Sequence, residues 1–132
     1  MRLPAVAPWV AAAALAACGG DDEDKTARTL TRAVDAPTRV AGREYSFDPS
    51  TVVLTGASGK AAVKLTLDNK GSLAHNLKVF AGERELGGTP TFPGGEARSG
   101  TVRLAPGRYR MVCTVGNHEQ LGMVGRLEVR AR

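Results

Sequence analysis

From Val40 onward, apolar and polar residues alternate in short bursts, the two-residue period of half-buried β-strands. The clearest burst is 61–68, where Ala61, Val63, Leu65 and Leu67 share one face and Lys64, Thr66 and Asp68 the other. Arg43-Glu44-Tyr45-Ser46-Phe47 also alternates, with Tyr45 and Phe47 on one side, and Thr51-Val52-Val53-Leu54 is rich in β-branched residues. Further along, Leu77 and Val79 share a phase with His75. Val102 and Leu104 share another, as do Tyr109, Met111 and Cys113, and finally Leu127 and Val129. Turn signals separate these runs: Asp48-Pro49-Ser50, Gly56 to Lys60, Asn69-Lys70-Gly71 and Pro106-Gly107. Glycine and proline break up 82–95, which has no period and receives no element. Seven or eight short strands at this spacing predict an all-β antiparallel sandwich or barrel over 39–132, nearly free of helix.

The chain before this region reads differently. Arg2 is followed by an apolar run, Leu3 to Ala17, the layout of a secretory signal. The run is shorter than the roughly 20 apolar residues of a membrane span. It ends in Leu15-Ala16-Ala17-Cys18, which resembles the bacterial lipobox, where cleavage falls before a cysteine whose thiol takes a diacylglycerol. Residues 1–17 are therefore expected to be a lipoprotein signal peptide, with Cys18 as the lipidated residue. Asp21-Asp22-Glu23-Asp24 and the polar stretch behind it lack the apolar positions to fold alone. A short helix near 29–34 would be too weak to persist. Residues 18–38 are expected to be a tether that leaves the domain extracytoplasmic, on the outer face of a bacterial membrane or in the periplasm.

Composition narrows the function. The 132 residues carry 18 Lys plus Arg against 13 Asp plus Glu, a net charge of +5. Two cysteines, one of them the expected lipid site, leave no disulfide framework. From 40 to 132 there are 13 basic and 8 acidic residues. The basic residues are dispersed and no aromatic platform lies among them, which argues against nucleic-acid binding. The positive charge suits anionic lipid or an acidic redox partner instead. Nothing in the sequence marks an oligomer, so a monomer is expected.

The chemistry concentrates in one loop. Cys113, His118 and Met123 stand in the pattern Cys-x₄-His-x₄-Met between the last two predicted strands, and His75 lies 38 residues upstream of Cys113 at a strand start. A thiolate, two imidazoles and a thioether are the ligand set of a blue copper site. Thiolate and imidazole serve both Cu(I) and Cu(II), and a weak axial thioether favours the reduced state. Met111, in the inward phase of its strand, is expected to be core filler. A thiolate–base pair of Cys113 and His118 lacks a third group to orient the histidine. Structural zinc favours sets without methionine.

The domain resembles a cupredoxin of the plastocyanin/azurin class over about 40–132. The resemblance rests on Tyr45-Ser46-Phe47-Asp48-Pro49, Asn69-Lys70-Gly71, Leu73-Ala74-His75-Asn76-Leu77, Pro106-Gly107-Arg108-Tyr109, and Cys113 through Gly125. It implies a Greek-key β-sandwich with one copper at one end, held by His75, Cys113, His118 and Met123. It implies an electron carrier, not an enzyme, working with redox protein partners of an electron-transport chain. It further implies that Asn76 ties its strand to the ligand loop through Thr114, and that the Ala74 carbonyl sits near the axial position. The Cys-to-His spacing exceeds that of plant plastocyanins and the His-to-Met spacing exceeds that of azurin, so neither protein's partner can be carried over. Two other readings use the same residues: an extracytoplasmic copper-binding or delivery protein, and a metal-free surface module.

Overall fold

The computed structural model describes residues 28–132. The expected signal peptide, Cys18 and the first part of the expected tether, up to residue 27, lie outside the described residues. Ten strands follow one another: β1 Thr29–Ala33, β2 Thr38–Arg43, β3 Ser46–Asp48, β4 Thr51–Ala57, β5 Ala61–Asn69, β6 Lys78–Ala81, β7 Arg84–Gly88, β8 Ala97–Leu104, β9 Gly107–Val112 and β10 Val124–Ala131. No helix occurs among the described residues.

The strands form two sheets, one of six in the order β1-β4-β10-β9-β6-β7 and one of four in the order β3-β2-β5-β8. Their inner faces enclose the core. Val63, Leu65 and Leu67 from β5 are fully buried, as are Val52 and Leu54 from β4, Val79 from β6 and Met111 from β9. Each such side chain stabilises the sandwich by about 2 kcal/mol relative to exposure. The alternation seen in the sequence around 61–68 is the in-and-out pleat of β5.

Three expectations change. The sheets are mixed rather than antiparallel, because β1 with β4, β4 with β10, and β2 with β5 run parallel. The folded domain starts at β1, so 29–38 is not tether: Thr29 to Ala33 pair in register with Thr51 to Thr55. Val34 and Thr38 are buried. This edge strand gains its order from backbone pairing, not from an apolar pattern of its own. Finally, 43–47 is not one strand. Arg43 ends β2 and pairs with Ser46 at the start of β3, which leaves Glu44 and Tyr45 as a two-residue turn.

Register places four connections at one end of the sandwich. Gly42 pairs with Asn69, the last residue of β5, and Asp68 pairs with Ala97 at the start of β8. Lys78 opens β6 opposite Val112, which closes β9, and Val124 opens β10 opposite the same residue. The 44–45 turn and the connections 70–77, 89–96 and 113–123 therefore gather there. The unplaced stretch supplies β7 and then a loop in which Phe92 forms a bridge with His75.

Candidate metal centre

His75 reaches the site on the 70–77 connection. Asn69 shapes that connection: its side-chain oxygen accepts the Gly71 N–H at 3.0 Å, and its Nδ2 donates to the Leu73 carbonyl at 3.0 Å and the Phe92 carbonyl at 3.1 Å. Backbone bonds in both directions between His75 and Phe92 hold the histidine against the neighbouring loop. His75 is fully buried.

The second segment is 113–123, which folds as a run of turns. His118 N–H donates to the Val115 carbonyl at 3.0 Å, Leu121 N–H to Asn117 at 3.1 Å and Met123 N–H to His118 at 3.0 Å. Gly122, at φ 109°, occupies a conformation that a side chain would strain. Cys113 N–H donates to the Met123 carbonyl at 3.1 Å, closing the loop at its base.

These connections bring three side chains to one point. The Nδ1 atoms of His75 and His118 are 3.2 Å apart, and the Cys113 Sγ lies 3.8 Å from the first and 3.5 Å from the second. A triangle with these sides has its centre about 2 Å from each corner, close to a metal–nitrogen bond length. All three residues are buried, and their donor atoms lie within 4.8 Å of one another. Met123 is fully buried beside them, its backbone bonded to both Cys113 and His118. Ala74, half-buried, directly precedes His75. Cys113 is an unpaired, buried thiol. A soft thiolate with two imidazoles in so small a triangle fits one copper ion.

Outside the triangle, Asn76 donates from Nδ2 to the Thr114 hydroxyl at 2.8 Å and accepts the Thr114 N–H on Oδ1 at 2.9 Å. A further Nδ2 bond runs to Thr91 at 2.9 Å. The connection 89–96 is thus tied to the same support.

Two residues near the centre were not legible in the sequence. The Tyr45 ring packs on the His118 ring with centroids 5.0 Å apart. Glu44 lies behind His75, its Oε1 3.1 Å from Nε2. That oxygen also accepts the Ser72 N–H at 2.8 Å and the Leu73 N–H at 2.7 Å. The Leu73 bond, with those from Ser72 and His75, lowers the Glu44 carboxyl from 4.5 to about 2. A carboxylate only accepts hydrogen bonds, so Glu44 is placed to take a proton on Nε2 of His75, while Nδ1 is the ring nitrogen that faces Cys113 and His118. Burial holds the His118 imidazole below its usual range, and the nearby His75 acts in the same direction.

Little of the centre reaches solvent. His118 keeps 7% of its surface against none for His75. Three large apolar residues are exposed in the domain, Leu73, Leu121 and Val124, and each lies within three positions of His75, His118 or Met123. On the loop around His118, Leu121 and Gly122 are exposed while Val115 is half-buried.

No protein-family model matches the chain, and no curated protein resembles it significantly in sequence. Solved structures do resemble it in three dimensions. Dithionite-reduced auracyanin from Roseiflexus castenholzii superposes with a TM-score of 0.59 at 18% identity, covering 70% of this chain and 95% of that one. Auracyanin A, described as a "blue" copper protein of Chloroflexus aurantiacus, gives 0.57 at 23% identity, covering 77% and 99%. This is the cupredoxin fold. Rusticyanin from Thiobacillus ferrooxidans shares it, with a TM-score of 0.53 at 18% identity and coverage of 76% and 81%. In this cupredoxin sandwich, the His75–Cys113–His118 triangle occupies the end where the four connections meet.

Proposed function

We propose that the protein is a one-electron carrier built on a single blue copper centre, with His75, Cys113, His118 and Met123 as ligands. The observation that carries this reading is the triangle of two Nδ1 atoms and one Sγ with sides of 3.2, 3.5 and 3.8 Å. Copper held there would supply a Cu(II)/Cu(I) couple that accepts and releases one electron. The chain's part is to keep the donors still. Three of the four candidate ligands lie on the short 113–123 segment closed by its own turns, and the fourth is held by Phe92 and Glu44. Thr114, next to the thiolate, is clasped by Asn76, and the carbonyl of Ala74, directly before His75, would offer a further weak oxygen donor. A frame that fixes its donors in advance has little to rearrange when one electron moves.

Electrons enter and leave, on this reading, at the His118 edge, where Leu73, Leu121 and Val124 give a small apolar contact surface suited to a transient partner. On the outer face of the same sheet, Arg110 and Arg126 face each other across β9 and β10 and, with Arg108 and Glu128, line a concavity of about 510 Å³. Like charges directly opposite each other destabilise a sheet, and an acidic redox partner would relieve them. The leader and Cys18 support a lipid-anchored, extracytoplasmic protein, with the tether ending before Arg28, which bonds to Thr51 and Asp48 of the domain.

The test compares turnover with metal retention. A carrier cycles repeatedly between reductant and oxidant while keeping its copper against a mild chelator. Rapid loss of copper to the chelator, without cycling, would mark a delivery protein. For the anchor, Cys18→Ser should release the protein from the membrane fraction and remove the lipid mass from the mature chain; unchanged membrane retention would exclude the lipidated cysteine.

A further inference from the structure

A set of four copper ligands does not require a carboxylate, yet this fold places one directly behind His75, a fully buried one. We propose that Glu44 is a positioning residue of the centre: it fixes His75 in the tautomer that presents Nδ1, and its negative charge on the far side of that imidazole favours the oxidised metal over the reduced one. The inference deepens the copper reading above and rests on it.

The geometry is specific. Glu44 comes from the turn between β2 and β3, about 30 residues from its partners in sequence, and a single oxygen, Oε1, takes three N–H donors. Two of them, Ser72 and Leu73, belong to the connection that carries His75, so the carboxylate is aligned with the histidine by the histidine's own loop. Its seat is cut to fit. A Cβ on Gly71 would strike the Glu44 carboxylate where it now lies, so glycine here leaves room for it against the loop, and a side chain would push it off its donors. His75 has no exposed surface, so its Nε2 proton cannot be satisfied by bulk water and needs a protein acceptor.

The two halves of the role separate chemically. Any good acceptor at this point holds the proton on Nε2 and leaves Nδ1 free, since the partner of one ring nitrogen decides what the other can do. A neutral acceptor would stop there. A carboxylate adds a formal charge and raises the basicity of the ligand, and both stabilise Cu(II) more than Cu(I). Glutamine at this position keeps an acceptor oxygen and removes the charge, whereas alanine removes both.

The experiment uses wild type, Glu44→Gln and Glu44→Ala. In the metal-free proteins, ¹⁵N NMR of the His75 ring should find the proton on Nε2 in wild type and Glu44→Gln, and a mixture of tautomers in Glu44→Ala. In the copper-loaded proteins, Glu44→Gln should keep the blue band. Its Cu(II) affinity should fall about 10-fold relative to Cu(I), which raises the one-electron potential by about 59 mV. Glu44→Ala should weaken Cu(II) binding by about 10- to 100-fold. An unchanged His75 tautomer in Glu44→Ala overturns the positioning role. An unchanged potential in Glu44→Gln overturns the role of the charge. A wild-type protein that takes up no copper overturns the copper reading and the charge role with it, while the NMR comparison decides the tautomer by itself.

Discussion

Asn76 and Thr114 hold each other by two hydrogen bonds, one through the threonine hydroxyl and one through its backbone N–H, across 38 residues of sequence. Asn76 follows His75 and Thr114 follows Cys113, so the clasp fixes the separation of the two backbones that carry the imidazole and the thiol. Replacing Asn76, a nearly buried side chain, with alanine removes both bonds to the exposed Thr114 and the one to Thr91. It should cost about 2 kcal/mol of stability, or a midpoint drop of roughly 10 °C for a domain of this size. Thermal unfolding of the metal-free protein checks the stability. The copper-loaded variant should show a weaker blue band, since Cys113 is no longer held. An unchanged midpoint and spectrum would mean that the clasp is incidental.

The metal-free protein should lose stability with acid in two stages. His118 and Glu44 both have lowered pKa values in the fold, so the unfolded chain binds more protons as the pH falls. The His118 contribution is complete above about pH 6.5, its value when unfolded, and is lost as the pH drops through the lower folded value. The Glu44 contribution is complete above pH 4.5 and is lost on approach to pH 2. Urea midpoints across this range should show both stages, and Glu44→Gln should remove the lower one. A midpoint that does not move through the His118 stage would contradict the burial argument.

Leu121 is 48% exposed on the loop that carries His118. Leu121→Lys should slow electron transfer to a partner by about tenfold, through a disturbed contact surface, and leave the copper spectrum nearly unchanged. Stopped-flow kinetics with a redox partner, set beside the absorption spectrum, measures both. A lost spectrum would show that Leu121 supports the centre rather than the contact.

Arg126 faces Arg110 across the β9–β10 ladder. Arg110 is occupied: it reaches Glu119 at 3.2 Å and lies over the Phe80 ring. Arg126 has no carboxylate partner among the described residues. Arg126→Glu should therefore raise stability by about 0.5 kcal/mol while slowing association with an acidic partner by about tenfold at low salt, a difference that fades as salt screens it. Opposite signs for stability and rate are the signature of a charge kept for recognition. A rate that does not depend on the substitution at low salt would contradict it.

How far the sequence could be read depended on where each signal lay. Cys113, His118 and Met123 were visible together because one connection carries all three. His75 was visible by residue type and by the Asn76 beside it. Strand β5 was plain because its pleat alternates without interruption. Strand β1 was missed because Thr29-Leu30-Thr31-Arg32-Ala33 is a polar edge whose order comes from pairing with β4. Glu44 was missed for a related reason. Arg43 to Phe47 alternates as a strand does, and the alternation concealed a turn that sends Glu44 behind His75 and lays Tyr45 on His118. Strand β7 ends in Gly87-Gly88, where no side chain reports a period.

On the reading proposed above, His75, Cys113 and His118 hold one copper as a blue centre. The most direct measurement is the visible absorption of the lipid-free domain, residues 28–132, titrated with Cu(II), beside Cys113→Ser. An intense blue band should saturate at one copper per chain, bleach reversibly with a reductant and be absent in Cys113→Ser. No band at saturation, or an equal spectrum in Cys113→Ser, would contradict it.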